Sequence, residues 1–155
     1  MLFVLFQAGD VTCAVAAAEI LQILPCVGLR ACPGQPDYVA GMFNLRGQIV
    51  PVLDFNRLMG HPACSRRLST RLILFRRAST DKAGPRLMGL RVESLTETLQ
   101  VPESEFSQPG LEATSTPFLQ HLFCDGTRLI QRVDLQRLVT DALAANLIAT
   151  VALPD

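Results

Sequence analysis

Short apolar runs separated by turn residues recur along most of the chain, which is the pattern of an all-β protein. The runs predict ten strands, near residues 2–7, 11–15, 22–30, 40–45, 48–53, 70–77, 87–93, 94–101, 118–124 and 127–133. Gly9-Asp10 and Asp125-Gly126 are predicted hairpin turns. Pro51 interrupts one apolar run, so we expect that strand to be an edge strand or to carry a bulge.

Two segments have the pattern of helices. Residues 14–21 are rich in alanine, which favours a short helix. From 135 to 147 apolar residues recur at helical spacing after Asp134, a suitable N-cap, so we expect an amphipathic helix lying on the sheets. The segments 78–85 and 102–117 are polar and contain proline and glycine, and both are predicted to be mobile connectors.

Composition excludes some classes of function. The chain has 155 residues, 49% of them hydrophobic, so it can bury a core as a single domain. Its formal net charge is zero, which argues against nucleic-acid binding. The apolar opening is short and lacks a basic start, and Pro25 and Gly28 interrupt the next apolar stretch. We therefore expect neither a signal peptide nor insertion into a membrane.

Charged residues are unevenly spread along the chain. Those within 66–91 are mostly basic, and those within 93–112 are all acidic. Two interpretations stay open. The segments form a solvated strand pair and loop, or they form a bipolar surface that orients a partner.

Residues capable of catalysis or metal binding form no known constellation. The five cysteines include no Cys-x-x-Cys pair, and His61-x-x-Cys64 has no second half nearby, so we predict no metal site. The thiols are predicted to be small buried or partly buried groups, which suits a reducing cytoplasm. The chain contains no glycine-rich nucleotide loop and no nucleophile elbow. We therefore expect neither an enzyme nor a cofactor.

The most informative segment is a hairpin-like stretch with one cation at its turn. It reads Val39-x-Gly41-x-x-Asn44-Leu45-Arg46-Gly47-x-Ile49-Val50-Pro51-Val52-x-Asp54. This string closely resembles the signature of CheW-like proteins, the adaptors of bacterial chemosensory arrays. Further matches lie at 3–20, 87–93 and 126–135, so the resemblance covers about 135 residues.

The resemblance implies a mainly β fold of two five-stranded SH3-like β-barrels packed together, with a short N-terminal helix and a C-terminal amphipathic helix. A single domain would span 1–147, followed by a tail at 148–155. The implied function is a non-enzymatic adaptor that couples chemoreceptors (methyl-accepting proteins) to a CheA-type histidine kinase. Such a protein is cytoplasmic and is recruited to membrane-associated receptor arrays.

Two alternatives stay open beside this reading. The array serves swimming chemotaxis or a non-flagellar response such as surface sensing or pilus motility. From another class, a small-molecule sensor could be built on the same barrel scaffold.

Matching positions also imply a receptor-binding site of Glu19, Ile20, Asn44, Arg46 and Gly47. In CheW-like proteins the matching Glu and Arg lie near one another, beside a groove between the barrels that receives the helical cytoplasmic tip of the receptor. A guanidinium is well suited to clamp a carboxylate in two places, although an exposed Glu–Arg pair of little energy is the alternative.

Some positions are unassigned or depart from the family pattern. The residues facing the kinase regulatory domain are not assigned. Ala17 stands where a larger aliphatic residue is usual, and Arg132 where an apolar residue is common.

Overall fold

The computed structural model describes residues 1–79, 84–107 and 117–140. Within these ranges lie one short helix, α1 (Phe55–Leu58), and three 3-10 turns at Ala17–Glu19, Glu103–Glu105 and Leu135–Arg137. The strands of the same ranges are β1 (Leu2–Ala8), β2 (Val11–Ala16), β3 (Gln22–Pro25), β4 (Val39–Leu45), β5 (Gln48–Asp54), β6 (Arg71–Arg77), β7 (Arg86–Gln100), β8 (Leu119–Asp125) and β9 (Arg128–Val133). The mainly β prediction is confirmed.

The strands form two five-stranded units that share β7. In the first unit, β1, β2, β9 and β8 follow the second half of β7, whose residues 93–100 pair with β1. In the second unit, β3, β6, β5 and β4 surround the first half of β7, whose residues 86–92 pair with β6. Ser94 has a φ of 54° where the strand passes between the units. The two strands predicted at 87–93 and 94–101 are therefore one bent strand.

The apolar side chains form a core in each unit and a third cluster between the units. Phe3, Leu5 and Ile130 belong to the core of the first unit, and Val50, Leu74 and Leu87 form the core of the second. The cluster between them draws on both units and contains Phe6, Phe55, Phe75, Leu90 and Phe118, all at most 2% exposed. Because successive residues of a strand point to opposite faces, β1 serves its own core with one face and the junction with the other.

The short helix predicted at 14–21 is wrong in extent. Strand β2 continues to Ala16, which lies opposite Phe3 of β1, and only the Ala17–Glu19 turn follows. Burial of Ala14 and Ala16 in a paired strand outweighs the helix propensity of alanine. The strand predicted at 22–30 ends at Pro25, which has no N–H to continue a ladder.

The C-terminal prediction is tested only at its start. The Asp134 side chain caps the Leu135–Arg137 turn, since its Oδ1 accepts a hydrogen bond from Gln136 N at 3.0 Å. The rest of the predicted helix and the predicted tail, 141–155, lie outside the described residues.

Both predicted connectors are anchored where the structure describes them. Phe106 is 7% exposed and its ring centre lies 4.8 Å from that of Phe3. Ser107 exchanges two 2.8 Å backbone hydrogen bonds with Leu122. Ala78 N donates to the Gln136 side chain at 2.7 Å. These contacts argue against mobility at Ala78, Phe106 and Ser107, and the mobility of the connectors as a whole stays a prediction. Residues 80–83 and 108–116 lie outside the described ranges.

Two positions of the hairpin signature hold the second unit together. Gly41 has a φ of 147°, and a Cβ there would lie 2.6 Å from the carbonyl oxygen of Arg30, so only glycine fits. Arg30 and Met42 exchange two 2.8 Å backbone hydrogen bonds at this point.

The expectation of an edge strand at Pro51 is wrong, since β5 pairs with both β4 and β7. The register shift between β4 and β5 lies in β4, beside Gly41.

Asp54, the last signature residue, fixes the end of β5. Its side chain is 1% exposed and accepts from Arg91 Nη2 at 2.7 Å and from Arg91 Nε at 3.0 Å. The same carboxylate accepts from Arg57 N at 3.1 Å, which caps α1, and from Cys64 N at 3.0 Å. One buried side chain thus joins β5, α1, the following loop and β7.

Candidate functional site

The turn between β4 and β5 presents a single cation at its tip. Arg46 and Gly47 are its two central residues, with φ values of 51° and 88°. Positive φ at both positions is the requirement of the type I′ hairpin turn. The Asn44 Oδ1 atom accepts a hydrogen bond from Gly47 N at 2.7 Å, so Asn44 forms the turn. All three residues are exposed.

Arg46 has a positive φ, a backbone conformation that favours residues other than arginine. The left-handed region costs an L-residue with a Cβ roughly 1–2 kcal/mol relative to the right-handed one. Within the described part of the chain, the Arg46 side chain makes no hydrogen bond or ion pair. Neither the turn nor a neighbouring group requires an arginine here, so its guanidinium is available to an incoming anion.

Glu19 ends the short turn that carries the chain from the first unit into the second. Its Oε1 lies 3.9 Å from Arg132 Nη2, and its side chain is 40% exposed. Partial burial raises the pKa of Glu19, with Arg132 opposing the shift and Asp134 and Glu103 adding to it. The next residue, Ile20, is half-buried against the cluster between the units. Glu19 is thus a partly desolvated carboxylate at the boundary between the units.

Strand registers place the β4–β5 turn at one end of the second unit. Strand β3 begins with Gln22 opposite Leu74, the middle residue of β6, and the Ala17–Glu19 turn comes before it in the chain. Strand β5 runs parallel to β7 with Val52 opposite Gly89, so the β4–β5 turn lies where β7 begins. Since β6 and β7 are antiparallel, the end of β6 and the start of β7 coincide.

Glu19 and Arg46 make no hydrogen bond or ion pair with each other among the described residues. The Glu19 carboxylate faces Arg132 instead, because β9 pairs in parallel with β2 and brings Arg132 opposite Ala14. That Glu19 and Arg46 lie near one another beside a groove, as the resemblance implies, stays a prediction.

Arg132 is the residue that the sequence prediction of the site left out. Its side chain is 17% exposed, and its Nη1 lies 2.6 Å from Glu103 Oε1. The guanidinium carbon lies 5.4 Å from the centre of the Phe3 ring, within range of a cation–π contact. The signal was a charged residue at a strand position that is commonly apolar in the family it resembles.

Two large apolar side chains near these turns are exposed. Leu21 follows Ile20 and is 52% exposed, and Ile49, the second residue of β5, is 37% exposed. Ile49 pairs with Asn44 beside the Arg46 turn, and we call Arg46 and Ile49 together the end surface of the second unit. A cation beside an exposed aliphatic group is suited to a helix that carries an apolar stripe and a carboxylate.

A family model described as CheW-like domain matches residues 2–143. The chain belongs to the CheW-like family. The chemotaxis protein CheW of Helicobacter pylori is 28% identical over 103 residues, covering 66% of this chain and 59% of that protein. The chemotaxis protein CheW of Klebsiella aerogenes is 24% identical over 140 residues, covering 89% and 81%. The protein FrzA of Myxococcus xanthus is 25% identical over 109 residues, covering 70% and 64%.

A solved CheW structure has the same fold. The scaffolding protein TtCheW from Thermoanaerobacter tengcongensis superposes with a TM-score of 0.76 at 21% identity, over 90% of this chain and 89% of that protein. The predicted barrel fold of the CheW-like family is therefore confirmed. These names describe chemotaxis and scaffolding proteins, and none of them names an enzyme activity.

The CheW-like signature separates into positions with different tasks. Gly41 and Asp54 are buried and hold the second unit together, whereas Arg46 is exposed at the turn.

Burial raises the pKa of the Cys13 thiol to about 12, and burial chiefly, with nearby Asp54, raises that of Cys64 to about 12. Cys124 is exposed, contrary to the prediction of buried or partly buried thiols. No helix of the described residues is long and apolar enough to cross a membrane.

Proposed function

We propose that this CheW-like chain is a non-enzymatic adaptor that couples chemoreceptors to a CheA-type histidine kinase in a chemosensory array. The observation that carries the proposal is Arg46, an exposed cation in a strained conformation with no partner among the described residues. It lies at an end of the second unit where Ile49 is also exposed.

The receptor's cytoplasmic tip would bind at the end surface of the second unit. A helix of the tip would lay apolar residues against Ile49 while one of its carboxylates accepts hydrogen bonds from Arg46. Asn44 and Gly47 hold the turn that presents the guanidinium. Glu19 and Ile20 lie in the connection between the units, and we propose from the family resemblance that they also contact the tip.

The kinase regulatory domain would bind elsewhere on the chain. An adaptor changes kinase activity only if its affinity for one partner depends on the state of the other, which is a coupling free energy between two sites. Two units joined through β7 provide surfaces that face in different directions. The adaptor would act in the cytoplasm at receptor arrays of a swimming or a non-flagellar pathway.

The test is a bridging experiment with three components. A receptor tip hairpin is immobilised, and the kinase regulatory domain is added with and without this chain. The adaptor model predicts that the kinase domain is retained only when the chain is present, and less of it with Arg46→Ala. Arg66→Ala, which removes an exposed arginine from the loop before β6, is the matched control and should bridge normally. Retention that does not depend on the chain would contradict the proposal.

A small-molecule sensor is the second candidate, and one feature favours it. Tyr38, Arg77, Pro117 and the segment 136–140 line an open cleft of about 510 Å³, which is large enough for a small ligand. The Arg77 guanidinium, however, already donates to the carbonyl oxygen of Val139 at 2.9 Å. A thermal-shift screen against metabolites separates the two candidates. A metabolite that stabilises the protein by several degrees, and fails to do so with Tyr38→Ala, would favour the sensor.

A further inference from the structure

Leu68 is the most exposed of the large apolar side chains in the described part of the chain. It is 95% exposed and lies in the loop 65–70, which leads into β6. Arg66 and Arg67 precede it directly and are also exposed. Neither arginine side chain makes a hydrogen bond or an ion pair with another described residue. An apolar side chain and two cations thus protrude together without packing against the fold.

The loop that carries Leu68 is fixed by hydrogen bonds at both ends. Ser65 N and Ser65 Oγ donate to Glu93 Oε1 at 2.6 Å and 3.1 Å. The buried Thr70 hydroxyl donates to Ser65 O at 2.6 Å. The Arg71 guanidinium donates to the carbonyl oxygen of Leu68 itself. The backbone therefore presents Leu68 in a set position, which lowers the entropy cost of burying this side chain against a partner.

Two exposed residues of β3 lie beside the same loop. Pro25 pairs with Arg71, and residues directly opposite each other in a sheet point to the same face. The Arg71 side chain, which donates to Leu68 O, therefore lies on the face of Pro25. Ile23, two residues before Pro25, is on that face as well and is 38% exposed. We call Ile23, Pro25 and Leu68 together the β3–β6 surface.

Leu68 lies at the opposite end of the second unit from Arg46. The loop 65–70 leads into the start of β6, where Arg71 pairs with Val92 of β7. The β4–β5 turn lies instead where β7 begins. The 7 residues of β5 separate the two ends, which is about 20 Å of extended strand. A partner bound at Leu68 therefore leaves the end surface of the second unit open.

We propose that the β3–β6 surface binds the kinase regulatory domain, with Leu68 as the anchor that enters an apolar pocket of that domain. The inference rests on the proposed function and assigns its second partner. A side chain that protrudes this far is buried only by a concave surface, which a folded domain provides and a helical receptor tip does not. Arg66 and Arg67 have no carboxylate partner among the described residues, so carboxylates at the rim of the pocket complement them.

The anchor and the arginines contribute differently to binding. A buried apolar anchor at the centre of an interface supplies much of the affinity. Charges at the rim chiefly speed association, and salt screens them. Loss of one of the two arginines therefore changes the affinity little, whereas loss of the Leu68 side chain changes it strongly.

Isothermal titration of Leu68→Ala against a CheA-type kinase regulatory domain and against a receptor tip hairpin tests the assignment. We expect affinity for the kinase domain to fall at least ten-fold and affinity for the hairpin to stay within two-fold of wild type. Because Leu68 is 95% exposed, the substitution should leave Tm unchanged. Leu129→Ala, which truncates a 56%-exposed leucine of the first unit, is the matched control and should bind both partners as wild type does.

Association kinetics test the two arginines. Replacing both Arg66 and Arg67 with alanine should slow association with the kinase domain several-fold at low salt and leave the dissociation rate unchanged. Arg66→Ala alone should change the affinity less than two-fold. An unchanged association rate in the double variant would contradict the acidic rim.

Two results with Leu68→Ala would overturn the inference. One is normal affinity for the kinase domain, and the other is loss of the receptor hairpin in place of the kinase domain. Sedimentation of the wild-type chain covers a second copy as the occupant, since self-association that Leu68→Ala abolishes while kinase binding stays normal would also overturn it. If the wild-type chain does not bind the kinase domain at all, the proposed function itself fails.

Discussion

Replacing Arg46 with glycine should stabilise the protein while weakening its binding to the receptor. The φ of 51° at this position costs a non-glycine residue roughly 1–2 kcal/mol of stability, which glycine avoids. Glycine also lowers stability by about 0.4–1 kcal/mol, because the unfolded chain gains conformational entropy. The net gain in the free energy of unfolding should therefore be about 0.5–1 kcal/mol, which corresponds to a rise in Tm of up to about 4 °C for a chain of this size.

Loss of the guanidinium has the opposite effect on binding. An exposed charge pair contributes up to about 1 kcal/mol and a hydrogen bond to a charged group about 1.5 kcal/mol or more, so affinity for the receptor tip should fall roughly five- to fifteen-fold. Urea unfolding gives the stability, and isothermal titration gives the affinity.

The control is Arg66→Gly, which removes an exposed arginine at a position without a positive φ. It should raise neither Tm nor the dissociation constant. A destabilised Arg46→Gly variant would show that Arg46 makes contacts that stabilise the fold. Unchanged affinity in the stabilised variant would refute the role of its charge.

Three further predictions concern the fold and its pH dependence. Gly41→Ala places a Cβ 2.6 Å from a carbonyl oxygen at a φ of 147°, so it should cost roughly 1–3 kcal/mol in urea unfolding; an unchanged midpoint would contradict this. Arg91→Met leaves the 1%-exposed Asp54 carboxylate without its cation, which should cost roughly 3–5 kcal/mol in the same assay. The hydrogen bond from Arg132 lowers the pKa of Glu103. The Glu103–Arg132 pair therefore stabilises the fold at pH values above the ordinary glutamate pKa, and this contribution is lost as the pH falls through the lowered pKa. Glu103→Gln should therefore lose less stability than wild type between neutral and acidic pH.

The sequence predicted most strands because apolar runs and turn residues mark them directly. It failed where a long-range contact overrode a local preference. The alanines of 14–16 favour a helix by propensity, yet pairing with β1 makes them a strand. The predicted break between residues 93 and 94 coincides with the positive φ of Ser94, but the sequence did not show that one continuous strand serves both units.

The candidate site shows the same division. Asn44 and Gly47 were predictable as turn residues because their chemistry is local. The partner of Glu19 was not predictable in this way. Arg132 is 113 residues away from Glu19 along the chain (132 − 19), and it reaches Glu19 only through the parallel pairing of β2 with β9. An arginine at a strand position that is commonly apolar in the family was the only local sign of that contact.

The measurement that tests the adaptor model most directly is isothermal titration of three chains against two partners. Wild type, Glu19→Ala and Arg46→Ala are each titrated with a receptor tip hairpin and with a CheA-type kinase regulatory domain. The model predicts that both substitutions lower receptor affinity several-fold and leave kinase-domain affinity within about 0.5 kcal/mol, as expected for independent sites. If both affinities fall together in folded variants, the two partners share one surface and the model of two separate surfaces is wrong.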